Sequence, residues 1–73
     1  MKKLKELLDG NNLKELKNIL IDMNEHDIAE FLEELEEDEM IKVFRLLPKT
    51  IATDVFVNLE DETQKHLINL LSK

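Results

Sequence analysis

From Ile28 to the C-terminus the chain repeats every twelve residues, and each repeat is the length of one short helix. Ile28, Met40, Ala52 and Gln64 fall in one column, and Phe31, Val43, Val55 and Leu67 in the next. Leu32, Phe44, Phe56 and Ile68 form a third column; Leu35, Leu47, Leu59 and Leu71 form a fourth. Within each unit the columns stand at i, i+3, i+4 and i+7, the apolar stripe of an amphipathic helix. A fixed period of this kind marks a stacked helical array. Such arrays bind other molecules far more often than they catalyse, which sets the first expectation about function.

Composition narrows the field. The 73 residues give room for one small domain spanning 1–73. A chain of this size buries only about 60–65 % of the surface its unfolded form exposes, so marginal stability is expected. There is no cysteine, which removes disulfide staples and thiolate metal sites. No apolar run approaches the roughly 20 residues of a membrane helix. Met1-Lys2-Lys3-Leu4 opens like a signal peptide, but Lys5, Glu6 and Asp9 interrupt any apolar segment behind it. A soluble, cytoplasmic chain with no membrane insertion is therefore expected. The net charge is −7, and thirteen of the seventeen acids lie in residues 24–73. That surface repels nucleic acid and anionic lipid. Three Phe, with no Trp or Tyr, offer no platform for stacking bases. Cations or basic protein surfaces are the expected partners.

Local signals divide the chain into about six helices. The first covers residues 2–9, with Lys2, Lys3 and Lys5 at the end of the helix dipole that disfavours cations, so fraying is expected. Gly10 is placed to follow its C-terminus. Asn12 and Glu15 form a capping-box-like pair for the second helix, whose stripe is Leu13, Leu16, Leu20 and Met23, with Ile19 beside it. Asn24 and Asp27 are placed to cap the third helix. The fourth runs from near Asp38 to Leu47, and Pro48 opens the fifth, which reaches about Asn58. Glu60, Asp61 and Glu62 stand at the head of the sixth, with Asp61 and Gln64 at capping-box spacing. Helices this short are unstable alone. Ile41, Leu46, Ile51, Val57 and Leu70 lie off the main stripe, so each helix is expected to touch the units before and after it, as in a solenoid. The last unit departs from the pattern at Gln64, yet Leu67, Ile68, Leu70 and Leu71 follow. The expectation is either a truncated domain or a C-terminal helix covered by a partner or a second copy.

Several segments together resemble the N-terminal cytosolic domain of MgtE-type magnesium transporters. They are His26-Asp27-Ile28-Ala29-Glu30-Phe31-Leu32-Glu33-Glu34-Leu35, Phe44-Arg45-Leu46-Leu47-Pro48, Ala52-Thr53-Asp54-Val55-Phe56 and Leu59-Glu60-Asp61-Glu62-Thr63-Gln64, and the likeness extends over residues 4–72. The resemblance implies an all-α, right-handed superhelix (a solenoid) lying before a pair of CBS modules and a membrane pore. It further implies that magnesium bridges the acidic surface to the CBS modules and favours the closed channel. The chain departs from the family pattern at Asp27, Glu36 and Glu37, where proline is common. The family's bridging acid aligns with Asp54, and its other bridging acids would lie past Lys73. A related helical design occurs in the middle domain of the flagellar switch protein FliG, although Glu25-His26-Asp27-Ile28-Ala29 follows the transporter pattern more closely.

Candidate sites follow from the acids. Glu30, Glu33, Glu34 and Glu37 have i, i+3, i+4, i+7 spacing and line one face if the third helix extends that far. Two readings stand for them: a solvated face, or a weak regulatory site for Mg²⁺, a hard cation that takes carboxylate oxygens. Asp54 likewise reads as a plain exposed acid or as one ligand of a bridged ion. His26 is placed at the start of the third helix and His66 beside Glu62; neither has the neighbours of a zinc site. No nucleophile–base set and no phosphate-binding glycine loop occurs, so the chain is not expected to be an enzyme. The sequence therefore points to a magnesium-responsive cytosolic domain. The alternative is a metal-independent protein–protein scaffold, FliG-like or free-standing.

Overall fold

The twelve-residue period is realised as one helix plus a short extended connector. The computed structural model describes residues 2–72, the Lys2 side chain excepted, and contains six helices in this order: α1 Lys2–Asp9, α2 Leu13–Leu20, α3 Glu25–Glu33, α4 Glu37–Leu46, α5 Lys49–Asn58 and α6 Asp61–Leu71. No strand occurs among the described residues. The helix-initiating residues Glu36, Pro48 and Glu60 share an extended conformation, with ψ of 165°, 151° and 154°. Pro48 suits this place because its ring fixes φ near the observed −58° and it has no N–H to leave unpaired.

The repeat is written into the backbone as well as the side chains. At each junction the third-column carbonyl accepts from the fourth-column N–H: Leu35 to Leu32, Leu47 to Phe44, and Leu59 to Phe56, each at 3.1 Å. At each helix start the first-column N–H donates to the residue before the helix: Met40 to Glu36, Ala52 to Pro48, and Gln64 to Glu60. Leu35, Leu47 and Leu59 thus stand just outside their helices rather than extending the stripe. They close each turn with a short i−3 bond and carry the chain out in an extended direction.

One column forms the axis of the core. Phe31, Val43, Val55 and Leu67 are each at most 1 % exposed. Burying a side chain of this size contributes roughly 1.5–3 kcal/mol relative to leaving it in water. Leu4, Leu7 and Leu8 of α1 and Leu16 and Leu20 of α2 join the same core. The first and third columns open progressively toward the C-terminus. Ile28 and Leu32 are buried, Phe44 and Phe56 are half-buried, and Ile68 is 53 % exposed. At the C-terminal end Leu67 is fully enclosed, while Ile68 and Leu71 face solvent.

The packing order differs from a simple neighbour-to-neighbour stack. α3 packs chiefly on α5, and α4 on α6; α1 pairs with α2, and α3 touches α4 less extensively. The extended connectors Leu47-Pro48 and Leu59-Glu60 carry the chain away from the preceding helix, and contact falls mainly to the helix after next. The radius of gyration is 11.2 Å, with extents of 27 × 22 × 19 Å. About 11 Å is expected for a globular chain of this length, so the array has closed on itself rather than extended.

Two local expectations are corrected. The left-handed residue after α1 is Asn11, at φ 60°, and not Gly10. Asn12 N–H donates to Leu7 O at 2.8 Å and Asn11 N–H to Leu8 O at 3.1 Å, the paired bonds of a Schellman cap with Asn11 at C′. Asn12 precedes α2 but its side chain makes no capping bond, because its backbone (ψ 63°) is already committed to that turn. The Asn24 cap is present: its Oδ1 accepts from Asp27 N–H at 2.8 Å. α1 is anchored close to its basic end. It is helical from Lys2, buries Leu4, Leu7 and Leu8, and is tied to α4 by Lys5 Nζ and Glu39 Oε1 at 2.7 Å.

Asn11 is the one non-glycine residue among those described with positive φ. Asn11→Gly should stabilise the fold by about 0.5–1 kcal/mol, because glycine adopts this conformation without a Cβ clash. Asn11→Val should destabilise it by roughly 1–2 kcal/mol. Urea unfolding of the two variants checks both signs.

Candidate functional site

The acidic stretch is divided between two helices. α3 ends at Glu33, Glu34 follows as its cap at φ −88°, and Glu37 opens α4. Glu30, Glu33, Glu34 and Glu37 therefore do not share one helix face. Extending α3 through residue 37 would carry Leu35 out of the connector that turns the chain, and would stack like charges along one ridge.

Each of these acids has its own role. Glu33 is the most engaged. Its Oε2 accepts from Glu60 N–H at 2.8 Å, and its Oε1 accepts from the Thr63 hydroxyl. A carboxylate at the end of α3 thus caps the start of α6, where free N–H groups and the helix dipole both favour negative charge. Glu37 lies 2.7 Å from His66 Nε2, linking α4 to α6. This corrects the pairing of His66 with Glu62. His26 sits in the first turn of α3 and meets Glu30 at 3.4 Å, one turn further on. Glu34 is exposed. Asp54 lies exposed on α5, directly before the buried Val55; its backbone carbonyl accepts from Asn58 Nδ2 at 2.8 Å, and its carboxylate forms no ion pair among the described residues.

Two clefts flank Glu33. One, of about 390 Å³, lies where α3, α4 and α6 meet and is lined by Leu32, Leu35 and Met40 together with Glu33, Glu36, Glu37, Glu62, Thr63 and His66. The other, of about 270 Å³, brings Glu30 and Glu33 together with Glu60, His26, Ala29 and Asn58. Among the described residues no group of three or more His, Asp or Glu side chains is arranged to hold a metal ion. The acids are spread over two clefts, and both Glu33 carboxylate oxygens already accept hydrogen bonds.

The break in the first column has a physical reason. Gln64 is half-buried, and its Nε2 donates to Phe56 O at 2.7 Å and Leu59 O at 3.2 Å. It gives Leu59 O a side-chain donor and adds a second donor to Phe56 O, which already accepts from Leu59 N–H. The expected Asp61–Gln64 capping box is not formed, since the residue preceding α6 is Glu60 and the amide turns back toward α5. No local sequence signal reveals Glu33 as a cap, because its partners lie 27 and 30 residues away. The polar Thr63-Gln64 pair at an apolar register was the available hint. Elsewhere, the hydrogen bond from Lys5 to Glu39, with the Glu39 charge, raises the Lys5 pKa above 10.5. Lys5 thus stays charged through the neutral range, and the stability it contributes is lost only in strong alkali.

The fold and the acidic surface define a small all-α domain built on a twelve-residue helical repeat. The family model for the MgtE intracellular N domain matches residues 23–73, and the chain belongs to that family. The match covers the connector before α3 and all four helices of the twelve-residue repeat; α1 and α2 lie before it. No curated protein and no solved structure matches the chain. Among the described residues no helix is long and apolar enough to cross a membrane.

Replacing Glu33 by Ala should cost about 1 kcal/mol, the usual loss for a helix cap, while Glu33→Gln should retain part of it. For a domain of this size that is a fall of about 4–8 °C in Tm. Amide hydrogen exchange in the Glu33→Ala variant should rise first at the start of α6.

Proposed function

We propose that this chain is a cytosolic regulatory domain of a magnesium transporter or channel, acting by docking and not by catalysis. The family match over residues 23–73 carries the reading. In this view the partner is the pair of CBS modules of the parent transporter, and Mg²⁺ responsiveness arises at the shared interface. Asp54 supplies one oxygen from an exposed position on α5, and the CBS surface supplies the rest. A hard cation held by one or two carboxylates and retained waters needs no more from this side. The stacking of α3 on α5 and α4 on α6 supports a superhelical path for the array, and the family likeness implies its right hand.

The chain's own acids would then respond to Mg²⁺ only weakly. Glu34 and Glu30 are exposed, and a divalent ion near them relieves like-charge repulsion, whereas Glu33 and Glu37 are held by α6. A second reading, a metal-independent scaffold of the FliG middle-domain kind, draws support from the same engagement of Glu33 and Glu37 by protein partners.

Thermal unfolding in millimolar MgCl₂, against NaCl of matched ionic strength, separates the two. The regulatory reading expects a small extra stabilisation in MgCl₂, about 1 kcal/mol or less, as for a site near half saturation. It also expects amide shifts localised around the acids of residues 30–39, and around Asp54 when the CBS modules are present. Equal melting in the two salts, with uniform small shifts, would establish the scaffold instead.

A further inference from the structure

A second surface is built on opposite electrostatic lines. Residues 40–53 contain no acid but carry Lys42, Arg45 and Lys49, in a chain of net charge −7. All three cations are exposed and none forms an ion pair among the described residues. Arg45 stands in the last turn of α4, and Lys49 opens α5 across the Pro48 turn. Beside them lies an apolar groove of about 280 Å³, lined by Phe44, Lys49, Ala52, Thr53, Phe56 and Val57. Val57, at 68 %, is the most exposed of the large apolar residues described. No acid lines this groove, in contrast to the clefts around Glu33.

We propose that the α4–α5 groove docks an acidic amphipathic helix of a partner protein, without a metal ion. Lys49, Ala52, Thr53 and Phe56 stand at i, i+3, i+4 and i+7 on α5, so the groove has an open helical ridge for one wall. A second helix fits such a ridge through apolar anchors at the same spacing. The small Ala52 between Phe44 and Phe56 leaves space for one of those anchors. Lys49 in the groove wall, with the exposed Arg45 next in sequence to the lining Phe44, selects a carboxylate and disfavours basic segments. A lipid surface fits less well: headgroup recognition uses clusters of four or more Lys or Arg, and residues 40–53 carry three, of which only Lys49 lines the groove. The acidic remainder of the chain makes the partner's sign specific, since the same helix is repelled elsewhere. This docking is independent of the Asp54 reading and of magnesium.

The test uses the full chain in EDTA and a synthetic amphipathic peptide with leucines at i, i+4 and i+7 flanked by glutamates. Its counterpart carries lysines in place of the glutamates. Amide shifts should saturate with the glutamate peptide and map to Phe44, Lys49, Ala52, Phe56 and Val57. Lys49→Gln and Val57→Asp, both at exposed positions, should keep the helical circular dichroism and weaken binding about tenfold, the equivalent of 1.4 kcal/mol. Raised salt should weaken it further. The proposal is overturned if no saturable shifts appear, if they fall outside the groove, or if the lysine peptide binds as tightly. It is overturned equally if the groove signals move with protein concentration alone, which would make a second copy the occupant. Stronger uptake by phosphatidylserine vesicles than by the peptide would make a membrane the occupant and would also end it.

Discussion

The buried column of Phe31, Val43, Val55 and Leu67 is the contact on which the rest of the structure depends. Each helix of the repeat gives it one side chain, and each is too short to persist in water without it. Because one residue of every unit reaches the same axis, alternate helices can stack and consecutive ones meet only at their corners. The junction leucines and their i−3 bonds follow from this need. A helix one turn longer would carry the next column residue past the axis.

The abundance of carboxylates is settled by the same geometry. Short helices present many free N–H groups for their length, and acids near their starts are stabilised by them. Glu33 does this between distant segments, Asp27 accompanies the Asn24 cap, and Asp61 and Glu62 stand in the first turn of α6. Glu37 and Glu39 hold α6 and α1 through His66 and Lys5. A large part of the negative charge is therefore structural, and the surface left for cations is smaller than the count of acids suggests.

The surface divides into regions of different sign. Acidic clefts occupy the side where α3 meets α6, while the α4–α5 turn carries exposed cations beside apolar side chains. A domain with two such faces is suited to sit between partners of different charge, which accords with a regulatory role in a larger assembly.

The twelve-residue period and the local capping signals determined the helices, their order and, the end of α3 apart, their ends to within a residue or two, because apolar spacing and turn residues act locally. Asn24 as a cap, Pro48 before α5 and the full burial of Val43 and Val55 all followed from neighbours in the chain. The family was also legible in the order of its short motifs. Only the tertiary structure decided which helices pack together, that α3 stops at Glu33, and that Glu33 and Gln64 serve as caps for other helices. Those outcomes depend on groups up to 30 residues apart meeting in space. The direction in which each short connector sends the next helix settles them, and no local pattern encodes that direction.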